Sequence, residues 1–178
     1  MGVRDFGENR IQELETKAAR LPQDIVWHFI GSLQSNKIRK AVKLASVIHS
    51  VDSVSAVERL DRIAEEEGKC VKFLLEVNVS GEASKSGVPQ ADFMALARTA
   101  ASCRTAVFAG LMTMAPLDAP TETLDAVFGG LAALRDRAEK EFGATLPLLS
   151  MGMSGDFANA VSHGSTIVRI GTAIFGRR

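Results

Sequence analysis

Two short segments near the end of the chain carry the residue types that hold an anion. One is Leu149-Ser-Met-Gly-Met-Ser-Gly155, an apolar run that ends in Gly152 and Ser154 and leads straight into a helical pattern. The other is Thr166-Ile-Val-Arg-Ile-Gly-Thr172, an apolar run that ends in Arg169, Gly171 and Thr172. A helix N-terminus presents unpaired N–H groups and a favourable dipole, which suits a phosphate. In parallel βα barrels the phosphate site is commonly built from the loops after the last two strands, and these are the last two strand candidates here. Ser154 alone reads as an ordinary helix cap; coupled to residues 169–172 it reads as part of a phosphate site. Arg169 and Gly171 fall on one side of their strand. An inward Arg169 needs an acceptor, because an unpaired buried cation is costly. A heteroaromatic nitrogen, a carboxylate or a phosphate would each serve.

Other polar residues sit at strand ends but have ordinary structural explanations. Glu8 and Asn9 follow the first strand, where Asn9 also suits a helix cap. His28 lies inside a strand, as core histidines do. Gln34, Asn36 and Lys37 mark a loop-to-helix junction, and His49, Asp52 and Ser53 repeat the pattern after the third strand. No G-x-S-x-G elbow is present, so a hydrolytic triad is a poor reading. Lys85, between two serines, suits imine chemistry but reads better as a solvated loop lysine. Met112 and Met114 suit the floor of an aromatic site and a packed core equally.

The elements that must position these groups alternate. Strands are predicted over residues 3–6, 26–30, 47–49, 71–77, 107–111, 147–151 and 167–170. Helices are predicted over 10–20, 35–44 (capped by Ser35), 55–67, 91–101, 122–142 and 158–163. The 122–142 helix has apolar residues near i, i+3, i+4, i+7 spacing and stops at Gly143. Strict alternation implies an α/β fold with a parallel sheet inside and helices outside. Seven strands are one short of a closed (β/α)8 barrel. No Gly-rich dinucleotide turn supports an open doubly wound sheet. The expectation is therefore a TIM barrel lacking its first βα unit.

Bulk properties remove several classes. The 178 residues suit a single domain over 1–178. Twenty-one basic and 21 acidic residues cancel, so no basic stripe points to nucleic acid. No apolar run is long enough to cross a membrane, and residues 1–6 do not resemble a signal region. Cys70 and Cys103 read as reduced thiols in a cytoplasmic protein. Tyrosine is absent, which removes one general acid–base type.

Seven motifs then carry a resemblance. They are Phe-Gly-Glu-Asn-Arg-x-Gln-Glu at 6–13, Trp-His-Phe-Ile-Gly-x-Leu-Gln-x-Asn-Lys at 27–37 and His-Ser-Val-Asp at 49–52. Glu-Val-Asn-Val-Ser-Gly-Glu-x-Ser-Lys-x-Gly at 76–87 and Gly-Leu-Met-Thr-Met-Ala-Pro at 110–116 follow. Met-Gly-Met-Ser-x-Asp-Phe at 151–157 and Arg-Ile-Gly-Thr-Ala-Ile-Phe-Gly at 169–176 complete the set. In this order they resemble the pyridoxal phosphate homeostasis protein family along essentially the whole chain. The resemblance implies a barrel of the alanine-racemase N-terminal type that binds pyridoxal 5′-phosphate (PLP). It implies a carrier or regulator of PLP without established turnover, with PLP-dependent apo-enzymes as partners and a monomeric state. Ser154, Gly171 and Thr172 would surround the phosphate and Arg169 would face the pyridine nitrogen, with Asn9 and Met151 in the same cofactor-binding set. An Arg there leaves the ring unprotonated and a weaker electron sink.

The family's Schiff-base lysine lies at the end of a strand preceding residue 1 of this sequence. A truncated barrel with two unpaired edges, low stability and noncovalent PLP binding is the resulting expectation. Two other readings stand beside it. Racemases of this barrel type add a β-domain and use a tyrosine, which this chain lacks. A barrel enzyme acting on a phosphorylated small molecule would need paired carboxylates, for which Glu8 and Glu76 qualify by position.

Overall fold

A computed structural model describes residues 2–82 and 84–176. Strands and helices alternate along the chain: β1 (Asp5–Glu8), α1 (Ile11–Ala18), β2 (Val26–Phe29), α2 (Ile38–Leu44), β3 (Val47–Val51), α3 (Val54–Glu66), β4 (Lys72–Asn78), β5 (Val88–Pro89), α4 (Phe93–Ala101), β6 (Val107–Met112), α5 (Thr121–Phe142), β7 (Leu148–Met153), α6 (Phe157–Ser162), β8 (Ile167–Arg169) and α7 (Thr172–Phe175). All pairings are parallel, in the order β1-β2-β3-β4-β6-β7-β8, with the two-residue β5 beside β4. The main path therefore has the seven expected strands. Among the described residues no ladder joins β1 to β8.

The sheet is nevertheless curled. β3 and β7 are three strand spacings apart along the path, roughly 14 Å in a flat sheet. Yet His49 Nδ1 on β3 lies 2.8 Å from Ser150 Oγ on β7. Only a sheet bent most of the way into a barrel brings those side chains together across its interior.

Alternation divides the core. Ile48, Phe73, Leu75, Leu149 and Met151 join the large cluster formed with buried helix residues such as Phe93 and Phe128. Val47, Leu74, Ala109 and Met112 form a separate inner cluster, with Leu148 packed against it. Two residues further along three of these strands stand His49, Glu76 and Ser150, all buried. The barrel thus has an apolar plug at its base and a polar layer above it, towards the strand C-termini.

Several local expectations shift. β1 runs over 5–8, because its pairing with β2 starts at Asp5↔Val26, while Val3 stays exposed. Ser35 makes no cap; residues 35–37 form a 3-10 turn and α2 starts at Ile38. Asn9 is not a cap either, since α1 starts after Arg10, whose side chain makes no capping bond. α5 ends at Gly143 in the left-handed conformation, as predicted. Exposed apolar residues gather on neighbouring elements at the β8 edge: Phe157, Val161, Val168, Ile174 and Phe175.

Gly152 positions the 154–156 turn. Its φ is +92°, and a Cβ there would lie 2.6 Å from Ala160 Cβ on α6. Both backbone strain and overpacking oppose a side chain. Gly152→Ala should lower stability by roughly 2–4 kcal/mol, measured by urea unfolding. A change below 0.5 kcal/mol would show that α6 yields freely.

Candidate functional site

The polar layer centres on Arg169, whose guanidinium points from β8 into the barrel. Nη1 donates to Ser150 Oγ at 2.7 Å and Nη2 donates to the Thr113 carbonyl at 2.9 Å. Thr113, just past β6, is itself held by its hydroxyl donating to the Val77 carbonyl at 2.8 Å. These bonds commit only part of the arginine's donor fork, leaving N–H groups for a ligand. Burial pulls the Arg169 pKa down to about 10, while the carboxylates of Asp156 and Glu76 act in the opposite direction. The group remains a cation at neutral pH.

Two histidines extend the network. His49 Nδ1 meets Ser150 Oγ at 2.8 Å, and His49 Nε2 meets His28 Nδ1 at 2.8 Å. His28 Nε2 reaches Asp5 Oδ1 on the edge strand at 3.1 Å. Burial holds the His49 pKa well below its ordinary value, and the charges of His28 and Arg169 push the same way. Glu76 behaves as a buried carboxyl: burial and neighbouring Asp52 raise its pKa to about 7, against the pull of Arg169.

The loops after β7 and β8 meet beside this layer. The Ala173 N–H, in the first turn of α7, donates to Ser154 Oγ at 3.4 Å. Ser154 is the acceptor in that bond, so its hydroxyl hydrogen is available to a further acceptor. Gly171 is the N-cap residue of α7, and open space surrounds its Cα. On the β7 side, Asp156 accepts from the Met153 N–H and precedes α6.

Among the sequence-predicted residues, Ser154, Gly171 and Thr172 come together at these loops, with Arg169 two residues before Gly171. Asn9 is exposed at the end of β1, on the same rim of the barrel. Met151 goes elsewhere. It is fully buried with Leu149 and Ala160 in the cluster between sheet and helices, because strand alternation sends it opposite to Ser150. Glu8, too, faces away from the interior and pairs with Lys17 on α1, so the paired carboxylates of a phosphate-substrate enzyme are not assembled. Lys85 donates to the Ala115 carbonyl at 3.3 Å, across the rim between the β4 and β6 loops.

His28, His49 and Ser150 were not singled out as site residues by the sequence reading, which took the first as core. One signal was available: each is a polar residue within a largely apolar strand, as is Glu76. Such residues on several strands of one barrel share the interior.

Comparison with known proteins agrees with this geometry. The sequence profile "Alanine racemase, N-terminal domain" matches residues 1–178. A pyridoxal phosphate homeostasis protein from Synechocystis is 41% identical over 179 residues, 99% of this chain and 82% of that protein. The solved structure of PipY of Synechococcus elongatus without PLP superposes with a TM-score of 0.93 at 40% identity, covering 98% of this chain and 83% of that one. PipY with PLP bound gives 0.90 at 39% identity, covering 98% and 82%. Barrel curvature, the loop pair at 154 and 172, and identity sustained over nearly the whole chain lead to one assignment: the chain belongs to the alanine racemase N-terminal domain family, among its pyridoxal phosphate homeostasis proteins.

Proposed function

We propose that this chain binds PLP at the mouth of its barrel and serves PLP homeostasis as a carrier or regulator. The observation that carries the reading is the junction of the two loops, Ala173 N–H to Ser154 Oγ, beside the buried Arg169. The donor set fits the cofactor. Ser154, Gly171 and Thr172 offer a hydroxyl, an open backbone and a helix first turn for a phosphate. Arg169 offers donors and no acceptor, which matches an unprotonated pyridine nitrogen. Asn9 belongs to the proposed set by its place on the rim. PLP when bound supplies an electron-withdrawing ring.

The residues of this chain then have separable roles. Arg169 orients the ring and withholds a proton from its nitrogen, which restrains carbanion chemistry. Ser154 and the first turn of α7 anchor the phosphate. Glu76 is a carboxyl able to hold a proton near neutral pH. In the same proposal residues 1–178 form one domain, the chain is a cytoplasmic monomer and PLP-dependent apo-enzymes receive the PLP. The free thiols of Cys70 and Cys103 suit a reducing compartment. Light scattering tests the monomer directly, since Ile174 and Phe175 would be covered in any dimer using the β8 edge.

Titration with PLP, followed by visible absorption and fluorescence, tests the binding. Saturable binding is expected, weakened at least tenfold in Arg169→Gln and in Ser154→Ala, given about 1.5–3 kcal/mol for hydrogen bonds to charged groups. Binding unaffected by both substitutions would place PLP elsewhere.

Glu76 generates a pH prediction. Its unfolded carboxyl titrates near 4.5 and its folded carboxyl near 7. Between those values the folded state keeps a proton that the unfolded state has lost, so stability falls as pH rises. Relative to Glu76→Gln, the wild type should lose roughly 3 kcal/mol across that window. Parallel denaturation curves for the two proteins at every pH would contradict the buried, proton-holding assignment.

A further inference from the structure

The network behind Arg169 takes one direction when each imidazole carries a single hydrogen. An arginine only donates, so Ser150 Oγ accepts from Arg169 Nη1. At the far end the Asp5 carboxylate only accepts, so His28 Nε2 carries a hydrogen. With a single hydrogen on His28, Nδ1 accepts, which requires His49 to donate from Nε2. His49 must accept at Nδ1, and Ser150 must donate its hydroxyl hydrogen to it. The two ends therefore set both imidazole tautomers and the hydroxyl rotor between them. The chain links β8, β7, β3, β2 and β1, and both imidazoles are buried.

We propose that His49 and Ser150 are positioning residues for Arg169, held in one hydrogen-bonding sense by a directed chain that runs through His28 to Asp5. Ser150 has a single hydroxyl hydrogen. If His49 donated towards it, Oγ would share its two lone pairs between His49 and Arg169, and its own hydrogen would need another acceptor. In the proposed sense, Ser150 donates to His49 and keeps a lone pair for Arg169 alone. The free donors of Arg169 then face the mouth of the barrel in a fixed orientation. The role of that orientation in binding rests on the PLP reading; the tautomers and the anchoring of Arg169 do not.

The first test therefore uses the unliganded chain. Long-range proton–nitrogen spectra of the ¹⁵N-labelled protein should show both His28 and His49 as Nε2–H tautomers with bare Nδ1. Asp5→Ala removes only an exposed carboxylate (side chain 69% exposed), yet it should disturb the His49 ring signals from one imidazole away. His163, outside the barrel and bonded to Asp125 at 3.0 Å, should keep its signals and so report an intact fold. Ser150→Ala should broaden or shift the Arg169 Nε–H signal. A wild-type His49 protonated at Nδ1, or an Arg169 signal indifferent to Ser150→Ala, would overturn the proposal.

A second measurement adds PLP. Ser150→Ala and His49→Asn should each weaken binding about tenfold and move the visible band of bound PLP, and Ser150→Ala should cost nothing further in an Arg169→Gln background. Full additivity there would overturn the positioning role. If the wild type binds no PLP, the cofactor reading falls and the spectra of the unliganded chain decide this proposal alone.

Discussion

A guanidinium inside a barrel must be paired, and much of this structure follows from how Arg169 is paired. Leaving it bare would cost several kcal/mol. It is satisfied instead by a hydroxyl on β7 and a carbonyl after β6. The hydroxyl is shared with a histidine on β3, on the other side of the barrel. The last of these contacts exists only when the sheet is curled, so the polar layer and the barrel shape depend on one another. The apolar plug of Val47, Leu74, Ala109 and Met112 beneath the layer supplies the burial that such a layer cannot supply for itself.

The same pairing separates support from function. Ser150 and Thr113 use part of the Arg169 fork, and the remainder is directed by what is left. Ser154 and the first turn of α7 come from loops rather than strands, and they are brought together by the hydrogen bond between them. In the proposed site, a strand-borne cation beside loop-borne hydrogen-bond donors suits a ligand with a fixed ring and a pendant phosphate. The neighbouring carboxyls divide by environment. Asp156 is engaged by a backbone N–H at the head of α6. Glu76 is buried, and burial with neighbouring Asp52 raises its pKa to about 7.

Much of this was legible in the sequence. Strand and helix alternation, the seven-strand path and the stop at Gly143 follow from periodicity and backbone preference. The pairing of the segments around Ser154 and Thr172 follows from their places after the last two strands. The rest depended on three dimensions. β1 starts two residues later than its apolar content suggests, because β2 sets its register. Met151 belongs to the helix-facing cluster, because the strand's parity was fixed by Ser150. The contact of His49 with Ser150 joins residues 101 positions apart, and no local pattern encodes it. α7 is a four-residue turn of helix with no apolar period to reveal it.

Whether the Arg169 fork and the loops at 154 and 172 form a single ligand site is decided most directly by a crystal structure of this chain grown with PLP. Phosphate density bounded by Ser154 and the first turn of α7 is expected, with the ring nitrogen facing a guanidinium still bonded to Ser150. A phosphate bound away from those loops, or an Arg169 turned out of the barrel, would contradict it.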